Sequence, residues 1–411
     1  MSSQDLQKNL LFLKTQDLGN DFFWGMSASN IHCSNKAIDA PFFLKNNDQF
    51  SSLEDSFHKT ELVKYKQDIE LIKKIGITNF RFSLSWSRIL PDGIEKINKE
   101  AIAFYNEILD ICIENEIQPF VSLHDSYLPV ELTKNGGWTN REILNWFENY
   151  VSICVQAFKG KVNHWVVFNE PSVFTGASNF LAMYPSGKNS VNSFLSAVHH
   201  SLLCQSIGLK KIKQLENSAQ VGTFFSCNYS IPLTYSEKDV KAAERIDALL
   251  NRLFIEPALG LGYPIETLPF LKSISKYKIT GDDELIKVDF DFIGLQNCTR
   301  EIVSHNLFVP YLNAKILEYD KLRVKINHLS PEIYHELIYL IIKKYSKYEG
   351  VKKIFVNEII TLHPDQNDLN SSIDSIKINP IQSYLQQILI ANKSGGKVHG
   401  FFVSTPKEMM I

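Results

Sequence analysis

"VVFNEPSVF", residues 166–174, places a carboxylate, Glu170, directly after an apolar run, with an amide before it and a proline after it. An apolar run that ends in Asn-Glu-Pro reads as a buried strand that delivers polar groups at its C-terminal end. Seven other runs have the same character: "DFFWGMSAS", "TNFRFSLS", "QPFVSLH", "AQVGTFFS", "DFDFIGLQ", "KKIFVNE" and "KVHGFFVS". Between them lie segments with apolar residues at helical spacing, among them "VKYKQDIELIKKIG", "KEAIAFYNEILDICIENE", "REILNWFENYVSICVQAF" and "SPEIYHELIYLIIKKYSKY". Strands apolar on both faces that alternate with helices imply a parallel sheet covered by helices. Eight of them in 411 residues favour a closed (β/α)8 barrel, the α/β class, over an open doubly wound sheet. No Gly-x-Gly-x-x-Gly follows the first run, which argues against dinucleotide binding.

Reacting groups of such barrels sit at the C-terminal ends of the strands. Glu170 ends the fourth run and Glu358 the seventh, so both carboxylates are expected in one mouth, facing each other. Paired carboxyls suit glycosidic cleavage, one protonating the leaving oxygen while the other attacks the anomeric carbon or activates water. The same pair suits metal binding or proton transfer next to a carbonyl, or a structural pairing with an arginine, and spacing alone does not choose among these. The charge balance is 43 Lys and Arg against 45 Asp and Glu, a formal net charge of −2, which calls for neither nucleic acid nor an anionic membrane. No cofactor motif is present, and no tight metal-ligand spacing supports reading His32, Asp125, Glu170 and Glu358 as a metal site.

Several long motifs then occur in one order. "VVFNEPSVF" resembles T-F-N-E-P, "NFRFSLSWSRILPDG" resembles Y-R-F-S-I-S-W-S-R-I-x-P-x-G, "DFFWGMSASN" resembles D-F-x-W-G-x-A-T-A-S, and "DFIGLQNCTREIV" resembles D-F-L-G-I-N-Y-Y-T-R. "GGWT" leads into the Asn-Glu-Pro motif without a gap. Together these resemble glycoside hydrolase family 1, the β-glucosidase family, from Asp21 onward. The resemblance implies a retaining β-glycosidase-like hydrolase on a TIM barrel. It implies that Glu170 is the general acid/base, that Glu358 in "FVNEII" is the nucleophile, and that Asn169 holds the sugar 2-hydroxyl. Arg81 matches an arginine beside the nucleophile, where a guanidinium would keep Glu358 ionised while Glu170, nearer apolar walls, holds a proton.

The departures concern the sugar subsite. His32 stands where the family has a sugar-gripping glutamine. "HDSYLP" replaces H-W-D-L-P and puts Asp125 on the sugar-binding histidine and Ser126 on the tryptophan. Gln296-Asn297-Cys298-Thr299 replaces N-Y-Y-T, so Cys298 takes the place of a tyrosine that hydrogen-bonds the nucleophile. After Glu358, Asn-Gly becomes Ile359-Ile360, and the chain ends "GFFVSTPKEMMI", without the family's last sugar-gripping loop and last helix. The substrate expected is therefore an unusual glycoside, bound through His32, Arg81, Asp125, Asn169, Gln296 and Cys298. Two rivals stay open: a barrel that uses the glutamates on a non-sugar substrate in specialised metabolism, and a non-catalytic binding homologue.

The remaining expectations concern the ends of the chain and its buried groups. Residues 1–20 read as an N-terminal extension and 21–411 as the barrel. Leu6, Leu10, Leu11 and Leu13 form a helix-like stripe that would cover the apolar outer faces left by the missing last helix, a gap that a second copy in a homodimer could also cover. "LLFL" is too short for a signal peptide or a membrane span. The six cysteines lie far apart in mostly apolar runs, which suits a reducing cytoplasm. His124, next to Asp125 on a strand, should point away from the mouth. At least one of His199 and His200 reads as a core histidine, Trp86 and Arg88 as structural, and Cys298 as inert.

Overall fold

The computed structural model describes residues 15–28, 51–179, 190–317, 333–359 and 380–404. Eight parallel strands close on themselves: β1 (Phe23–Ser27), β2 (Asn79–Ser83), β3 (Gln118–His124), β4 (His164–Asn169), β5 (Gln220–Pro232), β6 (Phe292–His305), β8 (Ile354–Ile359) and β9 (Val398–Ser404). A short strand, β7 (Ala314–Ile316), lies antiparallel on the outer end of β6. The order β5-β4-β3-β2-β1-β9-β8-β6, with β5 also paired to β6, makes the sheet a closed (β/α)8 barrel. Each of the eight apolar runs read from sequence supplies one barrel strand. Helices of ordinary length cross between successive strands: α1 (Ser51–Lys74), α2 (Lys99–Glu114), α3 (Ile143–Ala157), α4 (Val191–Leu215), α5 (Glu237–Asp247), α6 (Ile333–Ser346) and α7 (Pro380–Lys393).

The helices form where their apolar faces can be buried. In α3 the buried residues are Ile143, Phe147, Tyr150, Val151, Cys154 and Val155, a stripe at three- and four-residue spacing that faces the sheet. The start of α2 is fixed by Asn98, whose side-chain oxygen accepts from the N–H of Glu100 at 3.0 Å and of Ala101 at 3.2 Å. Among the described residues no helix is long and apolar enough to cross a membrane.

The lumen is filled by aromatic rings. Phe120, Val166, Phe224, Phe292, Phe355 and Phe402 form an inner cluster with Phe23 packed against it, separate from the larger core under the helices. Glycine makes the room. A Cβ on Gly294 would lie 2.1 Å from the Phe224 ring, and one on Gly25 would lie 2.2 Å from the Phe402 ring. The ring stack closes the barrel below and leaves Phe224 as the floor of the mouth above.

The N-terminal stripe Leu6–Leu13 and the last seven residues lie outside the described residues. The apolar outer faces of β9 and β1, expected to need a cover, are not bare: Phe401 is 1% exposed and stacks on Tyr384 of α7, and Trp24, Met26 and Val403 are half-buried. Trp86 stacks on Tyr150 with centroids 4.6 Å apart, and Arg88 makes a buried ion pair with Glu61 at 2.7 Å, so both are structural.

Candidate active site

The C-terminal ends of β2, β3, β4, β6 and β8 bring Arg81, Asp125, Asn169, Glu170, Gln296, Cys298 and Glu358 to one end of the barrel. His32 lies outside the described residues. Arg81 is the hub. Its Nη1 donates to Gln296 Oε1 at 2.9 Å, its Nη2 donates to Asn169 Oδ1, and its guanidinium carbon stands 3.9 Å above the Phe224 ring. Asn169 passes the chain on, its Nδ2 donating to Asp125 Oδ1 at 3.2 Å. Asp125 also accepts from Ser126 Oγ at 3.0 Å and, through Oδ2, from Ser83 Oγ at 3.3 Å. The guanidinium therefore fixes which way the Asn169 amide faces, and Asp125 holds its nitrogen end.

Glu170 follows the last residue of β4 in a left-handed conformation, φ 52°, which a side chain with a Cβ adopts at a cost of about 1–3 kcal/mol. Its N–H donates to Phe224 O at 2.8 Å, and the β4–β5 register shifts between Val166 and Asn169, so the chain is turned as it leaves the barrel. Glu116, Tyr311 and Asn313 share this backbone region, but of the four only Glu170 lies at the end of a barrel strand in the mouth. Glu358 lies inside β8 and is 4% exposed. Its Oε1 accepts the Cys298 N–H at 3.1 Å. Beside it, Asn357 Nδ2 donates to Ser404 Oγ at 3.1 Å, and Ser404 is hydrogen-bonded to Ser27, which extends the polar contacts to β9 and β1.

Burial dominates the electrostatics. It pushes the Glu358 carboxyl up to about 7, against which the thiol and N–H of Cys298 pull it down; the Glu170 charge adds to the rise. Asp125 is raised to about 6, first by burial, with its Asn169 hydrogen bond opposing and the Glu170 charge adding. Arg81 is lowered to about 10 by burial, offset in part by Asp125 and Glu170, and stays a cation at neutral pH. Arg81 Nη1 and Nη2 donate to Gln296 and Asn169, its Nε is buried without a hydrogen-bond partner, and the charges that act on it are those of Asp125 and Glu170. The donor at Glu358 is Cys298 instead.

The singled-out histidines are placed away from this chemistry. His124 is enclosed by Trp86, Trp138, Phe168 and Phe174 and lowered by burial to about 3, so it is neutral and faces away from Asp125. His199 bridges Tyr263 and Asp282, each at 2.8 Å, and His200 Nδ1 meets Trp138 O at 2.9 Å; both are buried and satisfied. Cys298 carries a thiol raised well above its ordinary 9.0 by its hydrogen bond to Cys227, by burial and by the Glu358 charge. Among the described residues no group of three His, Cys, Asp or Glu is placed to hold a metal ion. Sequence reading missed Ser83, Cys227, Asn357 and Ser404. Asn357, directly before Glu358, and Ser404, at the end of the last run, were visible as polar residues ending apolar strands.

A parallel barrel that collects carboxylates, an amide and a guanidinium at its strand ends is the layout of a barrel enzyme working by acid–base or nucleophilic chemistry. The sequence model described as Glycosyl hydrolase family 1 matches residues 39–410, and this chain belongs to that family of glycosidases. A 1,4-beta-D-glucan glucohydrolase from Thermotoga neapolitana is 29% identical over 342 residues, 83% of this chain and 80% of the relative. The 6-phospho-beta-glucosidase GmuD of Bacillus subtilis is 28% identical over 408 residues, 94% of this chain and 88% of the relative. Among solved structures, the beta-glucosidase from Thermotoga maritima in complex with deoxynojirimycin superposes with a TM-score of 0.78 at 25% identity, covering 93% of this chain and 88% of that one.

Proposed function

We propose that the protein is a retaining β-glycosidase in which Glu358 attacks the anomeric carbon and Glu170 protonates the leaving oxygen, then activates water for release. The observation that supports the reading is that Glu358 on β8 and Glu170 at the end of β4 stand in the same barrel mouth as Asn169 and Arg81. Asn169, oriented by Arg81, is the amide available to a hydroxyl next to the reacting carbon. A hydrogen bond there that strengthens as charge develops lowers the barrier.

The substrate we infer is an unusual glycoside. Asp125 is an acceptor-only group when ionised, where the family pattern has a histidine, and Cys298 replaces a tyrosine at the nucleophile. A pocket built to pair with particular hydroxyls rejects sugars that leave its buried groups unpaired, at about 1–3 kcal/mol for each. His32, Gln296 and Cys298 complete the proposed substrate-binding set. The test is a panel of aryl β-glycosides assayed with wild type, Glu170→Gln and Glu358→Gln, with the anomer released first followed by NMR. Each substitution should cut turnover by about 10²–10⁴-fold or more, and the β-anomer should appear first. Inversion of configuration, or a Glu358→Gln enzyme that keeps its rate, would overturn the reading.

A further inference from the structure

The carboxylate that follows β3 is held by neutral groups alone. Asp125 accepts from Asn169 Nδ2 at 3.2 Å, Ser126 Oγ at 3.0 Å and Ser83 Oγ at 3.3 Å, and among the described residues it makes no ion pair. Elsewhere the buried carboxylates Asp282 and Glu61 pair with Arg141 at 2.6 Å and with Arg88 at 2.7 Å. In the mouth, Asp125, Glu170 and Glu358 stand with Arg81 as the one described cation, and its two amino groups go to Gln296 and Asn169. Three carboxyls beside one guanidinium stay charged together only at a cost that a proton or a further cation would relieve. Asp125 also has acceptor capacity left. Its two oxygens offer about four lone-pair sites, and the three bonds it takes put a single donor, Ser83, on Oδ2. The residue is half-buried, so a ligand in the mouth can reach it. Among the described residues no three His, Cys, Asp or Glu are placed to share a metal ion, so the cation that fits is one the substrate carries.

We propose that the mouth selects glycosides of amino sugars, in which a protonated amine on a ring carbon near the reacting end pairs with Asp125. An ammonium group brings three N–H donors and a positive charge, so it fills the unused acceptor position and offsets one carboxylate at the same time. A hydroxyl at that place supplies the hydrogen bond without the charge. Asn169 fixes where the selection acts. Arg81 holds the oxygen end of its amide, and its nitrogen lies 3.2 Å from Asp125, so a ring substituent that reaches this amide reaches Asp125 as well. The charged groups that act on Asp125 are Glu170 from the end of β4 and Arg81 from β2, while Ser83, Ser126 and Asn169 are uncharged at every pH of interest. The inference rests on reading the protein as a glycosidase and adds the charge its sugar carries.

The experiment compares the 4-nitrophenyl β-glycosides of glucose, 2-amino-2-deoxyglucose and 3-amino-3-deoxyglucose by kcat/KM at pH 5, 6 and 7, in wild type and in Asp125→Asn. At pH 7 the better amino glycoside should exceed the glucoside by about 10- to 100-fold in wild type. The ratio should fall as pH drops to 5, because Asp125, raised to about 6 by burial, takes up a proton there while the amine keeps its own. Asp125→Asn removes the anion and leaves Glu170 and Glu358 in place, so the ratio should come to about 1 at every pH. A glucoside preferred by wild type, or an amine preference that survives in Asp125→Asn, would overturn the inference; should the variant fail to fold, a wild-type ratio that does not rise between pH 5 and 7 overturns it alone. The phenyl 1-thio-β-glycosides of the same sugars, which resist cleavage, are titrated by calorimetry in parallel. Tighter binding of an amino sugar that is lost in Asp125→Asn, in a protein that cleaves none of the glycosides, would leave this inference standing and remove the proposed function. Turnover of the glucoside faster than of both amino glycosides would do the reverse.

Discussion

Replacing Glu358 with glutamine should make the protein more stable, and by an amount that grows with pH. Glu358 is buried and its carboxyl is raised from an ordinary 4.5 to about 7. A raised carboxyl means that the folded state prefers the neutral form. Between pH 4.5 and 7 the folded chain holds a proton that the unfolded chain has released, so stability falls as pH rises through that window. At about 1.4 kcal/mol per pH unit the full cost is about 3 kcal/mol, reached above pH 7. Glutamine keeps the shape and the acceptor for the Cys298 N–H but carries no charge. The variant should therefore gain about 1 kcal/mol over wild type at pH 5 and about 3 kcal/mol at pH 8. For a chain of this length the latter corresponds to a rise in Tm of about 3–4 °C. Differential scanning calorimetry of both proteins at pH 5, 6, 7 and 8 measures it, and the difference between the two cancels the titration of every other group they share. A constant difference across pH, or a variant less stable at pH 8, would show that Glu358 is not held against its charge.

Two further outcomes follow from the geometry. Asp125→Asn should lower kcat/KM on whatever glycoside is turned over by about 10- to 100-fold, the worth of a hydrogen bond to a charged group, because the nitrogen end of Asn169 loses its anion; a Tm within about 2 °C of wild type would separate this from unfolding, and an unchanged kcat/KM would show Asp125 to be a bystander. Gly294→Ala should destabilise by about 3 kcal/mol or more, or give no soluble protein, since its Cβ would lie 2.1 Å from the Phe224 ring that floors the mouth; a variant with wild-type Tm would mean that the lumen is looser than its ring packing indicates.

The barrel was legible because burial on both faces leaves a plain trace. Strands enclosed by helices outside and rings inside have to be apolar throughout, and runs such as "QPFVSLH" and "NHWVVFNE" carry that pattern with little else to confuse it. What sequence did not show was where β5 and β6 stop. They run on together past the barrel, Tyr229 beside Arg300 and Ile231 beside Ile302, and take on β7 as a third strand. Beyond the barrel one face is no longer enclosed, polar residues return, and the apolar run that marks a strand disappears although the ladder continues.

The site divides along the same line. Glu170 and Glu358 could be placed because a strand end fixes where a short side chain begins, and the barrel fixes where strand ends meet. Partners could not be placed that way. Arg81 begins beside the mouth, but where its long side chain delivers charge depends on the Phe224 ring beneath it and on two amides, Gln296 and Asn169, that reach it from other strands. An arginine matched to a motif is therefore a weaker inference than a carboxylate matched to one. Cys227 was missed for a different reason. The apolar run "AQVGTFFS" ends one residue before it, and strict alternation does not anticipate the slip that lets one residue of β5 face two of β6. Past that slip the Cys298 N–H meets Glu358. A register irregularity next to the candidate site is thus where pattern reading loses the chain.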